Sequence, residues 1–225
     1  MQPPQPGSRV EEDDFTGADW AHAELAGCHF RHCNFAGASL RSADLTDTSF
    51  EHCQFNDTAS ETPADLSHAR LREAQFLKCN LTVVELARIK GYGLCFDQCQ
   101  LQGADLSQGD FRLPVGDTEL AEVHFRGCNL AFADLSNNYL KGCELQGCRL
   151  LETRLDYCDL TDADLSDSEL HNISAVGVQL AGADLRGATF SGLDPRRIDL
   201  TGVRLYTSQL GAVLEPLGLI VEADP

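Results

Sequence analysis

The sequence predicts an all-β solenoid: a single rod of short stacked coils, with two excursions from its wall and a cap at its C-terminal end. Three observations predict it. A large apolar residue recurs at every fifth position, a small residue stands two places before most of them, and the positions between are mostly polar. Period five fits neither regular element. Five steps of a helix advance by about 140°, which scatters the apolar residues around its circumference. In a straight strand an odd period sends successive members to opposite faces. All of them reach one interior only if the chain turns at each pentapeptide.

The elements follow in order. Residues 1–13, Pro-rich and then acidic through Glu11, Glu12 and Asp13, read as a flexible tail. The first register runs Phe15, Trp20, Leu25, Phe30, Phe35, Leu40, Leu45, Phe50, Phe55. The second holds Leu66, Leu71, Phe76, Leu81, Leu86, Phe96, Leu101, Leu106 and Phe111. The third runs from Leu120 through Leu170 and on through Leu180, Leu185, Phe190, Leu200, Leu205 and Leu210, so that coils occupy 14–211. Ten of the eleven Phe lie on these registers, which ties the aromatic content to the interior. The small column, Ala18, Ala23, Cys28, Cys33, Ala38 and onward, takes every Cys except Cys95. Large and small inward side chains in alternation fill a narrow cylinder.

Two segments break the five-residue step. Loop A comprises Asn56, Asp57, Thr58, Ala59, Ser60, Glu61, Thr62 and Pro63. Loop B comprises Arg112, Leu113, Pro114, Val115, Gly116, Asp117 and Thr118, with Pro and Gly as turn punctuation. Solenoids tolerate insertions by drift, but segments that leave a rigid scaffold are where binding concentrates. After Leu205 the pentads stop. Thr207 or Ser208 can cap a helix carrying Leu210, Val213, Leu214 and Leu217, ended by Pro216 and Gly218, with a short strand expected at Leu219, Ile220 and Val221. Residues 212–225 thus cover the open edge of the last coil, and spare apolar surface there suits a second copy of the chain.

Strings such as "GADLSQGDF", "FADLSNNYL", "DADLSDSEL" and "GADLRGATF" resemble the A(D/N)LXX consensus of pentapeptide repeat proteins. That resemblance implies a right-handed quadrilateral β-helix, with about twenty residues per coil and coils about 4.8 Å apart. "FEHCQF" before loop A, "GADLSQGDF" before loop B and "LDPRRIDLTGVRLYTSQLGAVLEPLGLIV" at the end resemble, in order and spacing, the Qnr and MfpA-like quinolone-resistance proteins. This second resemblance implies a rod-like homodimer joined at its C-terminal ends. It implies binding to type II DNA topoisomerases, gyrase and topoisomerase IV, with protection against fluoroquinolones and with both loops contributing. Related proteins protect gyrase from natural-product poisons instead, and a scaffold without topoisomerase affinity is the competing class.

The charge suits such a partner. The chain has 35 acidic and 17 basic residues, a net charge of −18, which excludes a direct nucleic-acid reader and disfavours an anionic membrane surface. Nine to ten coils make a rod of roughly 45 Å carrying about 0.4 charge per Å, against about 0.6 for duplex DNA. Residues twenty apart stack, so Glu144, Asp164 and Asp184 form one outward column and Asp65, Glu85 and Asp105 another. Asp156, Asp159, Asp162, Asp167 and Glu169 thicken the first into an acidic, DNA-mimicking surface. Like charges on neighbouring strands repel, so these ladders are expected to cost stability with no folding benefit.

Other chemistries find little support. In "CHFRHC" the pentad register sends Cys28 and Cys33 inward and His29 and His32 outward, so four metal ligands do not converge. Cys pairs twenty apart read as buried thiols, because parallel inward Cβ vectors do not suit a disulfide. No nucleophile elbow, phosphate loop, dinucleotide fingerprint or EF-hand is present, and His22, His68, His124 and His171 fall at outward positions without a partnered nucleophile. Neither enzymatic activity nor a cofactor is expected. Ten Cys without an apolar leader point to a reducing cytoplasm.

Overall fold

The computed structural model describes residues 2–57, 62–116, 118–191 and 193–220. The chain winds into a β-helix whose repeat is set by hydrogen bonding. Parallel bridges join residues twenty apart, as Asp14 with Asn34 and Asn34 with Gln54, so each coil holds four pentapeptides. At the corners the residue two after the large apolar one takes a left-handed φ. Glycine does so at Gly17 (66°) and Gly27 (69°), where no Cβ resists it. Non-glycine residues do so as well, as at His22 (61°) and Asp47 (55°). The Ala18 N–H donates to Phe15 O at 2.9 Å across such a corner. A positive φ at the third residue of an i→i+3 bond is the signature of a type II turn, which redirects the chain every five residues.

One face flattens into a parallel sheet of six short strands: Arg9–Glu11, His29–Arg31, Ser49–Glu51, Gln75–Leu77, Leu94–Asp97 and Val123–Arg126. Their central residues align as Val10, Phe30, Phe50, Phe76, Phe96 and Phe125. The five rings stack face to face at centroid distances of 5.2, 4.8, 5.0 and 5.1 Å. In the small column, thiols and hydroxyls donate to carbonyls of the preceding coil. Cys53 reaches Phe30 O at 3.5 Å, Cys99 reaches Phe76 O at 3.3 Å, and Thr153 reaches Leu130 O at 2.8 Å. Small polar residues therefore serve in this core because each has an acceptor overhead. All ten Cys are free, nine buried and Cys95 half-buried. Burial pushes the Cys143 and Cys158 thiols up to about 12.

Three expectations change. Residues 7–13 are not a tail: Val10 pairs with Phe30, and the Gly7 N–H donates to Ala26 O at 2.9 Å. The acidic composition hid a coil whose one inward residue is a Val on the Phe column. Leu120 does not begin the third register; it is 49% exposed, and the interior resumes at Val123 and Phe125. Leu210 is likewise exposed, within the C-terminal helical segment. No helix among the described residues is long and apolar enough to cross a membrane.

Candidate protein-interaction surface

Both loops leave the wall as antiparallel hairpins. Across loop A, Ser39 bridges Asp65, a step of 26 instead of 20, so six residues are extra. Its base pairs Asn56 with Pro63 and Asp57 with Thr62; Thr58, Ala59, Ser60 and Glu61 lie outside the described residues. The base is fixed to the rod, because the Gly37 N–H donates to Thr62 O at 2.9 Å. Asn56 is 6% exposed, and its Oδ1 has no hydrogen-bond partner.

Loop B is longer than its sequence signal. Gln100 bridges Asn129, a step of 29, so nine residues leave the wall. Arg112–Val115 pairs with Thr118–Ala121, turning at Gly116, which adopts φ 61°. Asp117 lies outside the described residues. A hairpin needs matched arms, so Glu119, Leu120 and Ala121 answer Pro114, Leu113 and Arg112. The guanidinium of Arg112 braces the base: it meets Asp110 at 2.9 Å and Glu119 at 3.1 Å, and lies over the Tyr139 ring at 6.0 Å. Val115 and Leu120 are about half exposed.

The acidic columns differ from each other. Glu144, Asp164 and Asp184 do stack. Their charge is largely answered, however. Glu144 receives Arg126 at 2.7 Å and His124 at 3.0 Å, and the Arg126 hydrogen bond holds its carboxyl below the usual value. The Gln146 amide donates to Asp164. Asp184 is 3% exposed and receives Arg186 at 2.6 Å and Arg204 at 3.2 Å, which lower its pKa. Glu169 meets Arg149 at 3.5 Å.

The expectation that the acids carry no folding benefit is also corrected. In the A(D/N)L position the carboxylate accepts the N–H two residues on. Asp159 caps Thr161 at 3.0 Å, Asp164 caps Ser166 at 3.0 Å and Asp184 caps Arg186 at 3.1 Å. These are Asx turns, which satisfy a backbone donor at the corner. Asp156 accepts from Ser174 Oγ at 2.7 Å and Val176 N at 2.8 Å. Asp162 and Asp167 sit at left-handed corners, over Gly182 and Gly187.

The other column remains electronegative, and it is longer than the sequence indicated. Asp65 bridges Glu85, Glu85 bridges Asp105, and Asp105 bridges Asp134, because hairpin B displaces the last step to 29 residues. Bases stand at its ends: Arg41 is 3.9 Å from Asp65, and Arg154 is 2.8 Å from Asp134. Between them, partial burial and the flanking Asp105 and Asp65 raise the pKa of Glu85.

At the C-terminal end, Thr207–Gln209, Leu210–Leu214 and Glu215–Leu217 form one continuous helical segment, closed by Gly218 at φ 79°. Gln209 pins it: its amide donates to Leu185 O and Ala188 O, each at 2.7 Å, and its Oε1 accepts Tyr206 N at 2.7 Å. Val213 and Leu214 are half-buried, whereas Leu210, Leu217, Leu219 and Ile220 are exposed. Leu219 and Ile220 form no strand, and Val221 lies outside the described residues. In "CHFRHC" both Cys are buried and both His exposed, with His32 stacked on His52 at 5.1 Å.

Comparison with known proteins places this geometry. A search of curated protein sequences returns no match. Among solved structures, the full-length QnrB1, a plasmid-mediated fluoroquinolone resistance protein, superposes with a TM-score of 0.88 at 26% identity. The match covers 94% of this chain and 100% of that one. A trypsin-treated form of QnrB1 matches with a TM-score of 0.72 at 26% identity, over 96% and 98% of the two chains. Residues 11–106 and 118–210 match the family described as "Pentapeptide repeat region", interrupted where hairpin B leaves the wall, and this chain belongs to that pentapeptide repeat family.

Proposed function

We propose that this protein binds type II DNA topoisomerases, gyrase and topoisomerase IV, without catalysing a reaction, and protects them from fluoroquinolones. The observation that carries the reading is the end-to-end likeness to QnrB1, a fluoroquinolone resistance protein, at a TM-score of 0.88. The charge supplies a mechanism. A rod with a linear charge density within a factor of two of duplex DNA enters a basic DNA-binding cleft in place of the duplex. The ladder from Asp65 to Asp134 contributes most to that field, since Glu144 and Asp184 in the other column are answered by arginines. The two hairpins add contacts beyond the rod. Two copies join through Leu210, Val213, Leu214, Leu217, Leu219 and Ile220, extending the rod. We take the coil as right-handed and the protein as cytoplasmic, as the family resemblance implies.

The test is a gyrase supercoiling assay with ciprofloxacin. Rescue by the purified protein, fading as salt rises, is the expected result; absence of rescue at every protein concentration rejects the reading. Replacing Asn56 to Pro63 by two residues restores the five-residue step. That variant is expected to lose rescue while keeping its β-rich circular dichroism. Rescue against a natural-product poison but not against ciprofloxacin redirects the reading to self-immunity.

A further inference from the structure

Apart from the hairpins and the C-terminal helical segment, the large hydrophobic side chains exposed among the described residues are Val83, Phe132, Tyr157, Val176 and Tyr206. Four of these five border one face of the rod, the face that carries the Asp65–Asp134 ladder. Phe132 and Tyr157 flank its two corners around an open groove of about 870 Å³, over Asp134, Glu152, Arg154 and Asp156. Val83 lies one coil above Gly103, its Cγ1 occupying the space a Cβ there would need, and Phe132 follows Gly103 in the same corner column.

The backbone at these positions does not favour the residues that occupy it. Phe132, Tyr157 and Val83 hold φ of 63°, 58° and 54°. Left-handed backbone suits Gly and Asn and is an outlier for a β-branched or bulky side chain. Coils adjacent to these put compatible residues in the same columns, Gly103 before Phe132 and Asn137 and Gly177 on either side of Tyr157, while Glu152 follows Phe132 at φ 52°. Phe132 is also the one Phe of eleven that is off the five-residue register, and it is 57% exposed; Tyr157 is 63% exposed. Strained backbone that presents aromatic surface to solvent argues for a contact made outside the chain.

We propose that this face docks an arginine-presenting segment of a protein partner. A guanidinium lies flat on an aromatic ring while its N–H groups pair with a carboxylate, which ammonium does less well. Two rings flanking a line of carboxylates offer both halves of that contact. Arg154 is committed to Asp134 at 2.8 Å, and Arg88, at the opposite corner, donates to Gln108 at 3.0 Å, so neither competes for the rings. The inference rests on the topoisomerase reading for the identity of the partner, and names the chemistry by which that partner is recognised.

Labelled oligoarginine and oligolysine peptides of equal length, compared by fluorescence anisotropy, test the face without a topoisomerase. The wild type is expected to prefer arginine by about fivefold, since each exposed cation–π contact is worth roughly a factor of two to five. The double variant Phe132→Asn, Tyr157→Asn should bind both alike within about twofold and melt no lower than wild type, because Asn accepts the corner backbone. Tyr206→Asn, on another face, should keep the preference. A double variant that retains it, a Tyr206 variant that loses it, or a double variant whose melting point falls by several degrees overturns the proposal. With gyrase, the double variant is expected to bind about tenfold more weakly, and undiminished binding also overturns it. If wild type fails to bind gyrase, the topoisomerase reading falls and the peptide comparison alone decides this face.

Discussion

Glu85 stands between Asp65 and Asp105 on adjacent coils, and Glu85→Gln separates the folding role of the acidic ladder from its binding role. Asp65 and Asp105 each hold one oxygen on a backbone N–H, of Ser67 and Ser107, both at 2.8 Å, so neither swings away. Carboxylates on neighbouring coils, about 5 Å apart, repel by about 1 kcal/mol in bulk water, less with salt. Favourable cross-strand pairs contribute about 0.2–1 kcal/mol, and like charges directly opposite are destabilising. With two such neighbours and an exposed side chain, Glu85→Gln is expected to stabilise by about 0.5–1 kcal/mol at pH 7. The sign with pH follows from the raised pKa of Glu85. The repulsion is fully present above that raised value and relieved as Glu85 protonates. Below the ordinary glutamate range, wild type and variant converge. Urea melts followed by far-UV circular dichroism at pH 7 and near pH 3.5 read this directly, and the gain should shrink in high salt. The same variant should bind topoisomerase more weakly, with a shallower salt dependence. A destabilised variant at pH 7, or a gain that persists in acid, refutes the account of the ladder as unrelieved repulsion.

Other consequences follow from the core and its pinning contacts. Phe76 stacks between Phe50 and Phe96 at 4.8 and 5.0 Å, so Phe76→Ala should cost about 3–5 kcal/mol in chemical denaturation by opening a cavity in mid-ladder. Asp184→Asn keeps an oxygen for the Arg186 N–H and removes only the charge that two arginines answer, at an expected cost of about 1–2 kcal/mol at pH 7. Because the folded pKa of Asp184 is lowered, its contribution is present above the ordinary aspartate range and lost as pH falls through the folded value. The difference between wild type and variant should therefore close in acid melts. In native protein a thiol reagent should label Cys95 first, since the other nine are buried, and all ten should react after denaturation.

The sequence alone determined the coil, its interior and the places where the wall is broken. A five-residue apolar period has one geometric solution that buries every member, so the count alone sends Phe30, Phe50, Phe76, Phe96 and Phe125 to the interior, where all five are buried. Inward Cys follow from the same count. Three matters needed the tertiary structure, because each depends on which coil lies over which. Loop insertions of six and nine residues shift the stacking, so only the folded chain extends the Asp65 column to Asp134 and gives Glu119 to Ala121 to hairpin B. Pairing across coils answers Glu144 through Arg126, 18 residues back, and adds Arg204, 20 residues on, to the Arg186 that already meets Asp184. And the terminal helical segment is held by Gln209, reaching carbonyls 24 and 21 residues back. A linear count fixes which way a side chain points along one coil. What it meets there is decided by the neighbouring coils.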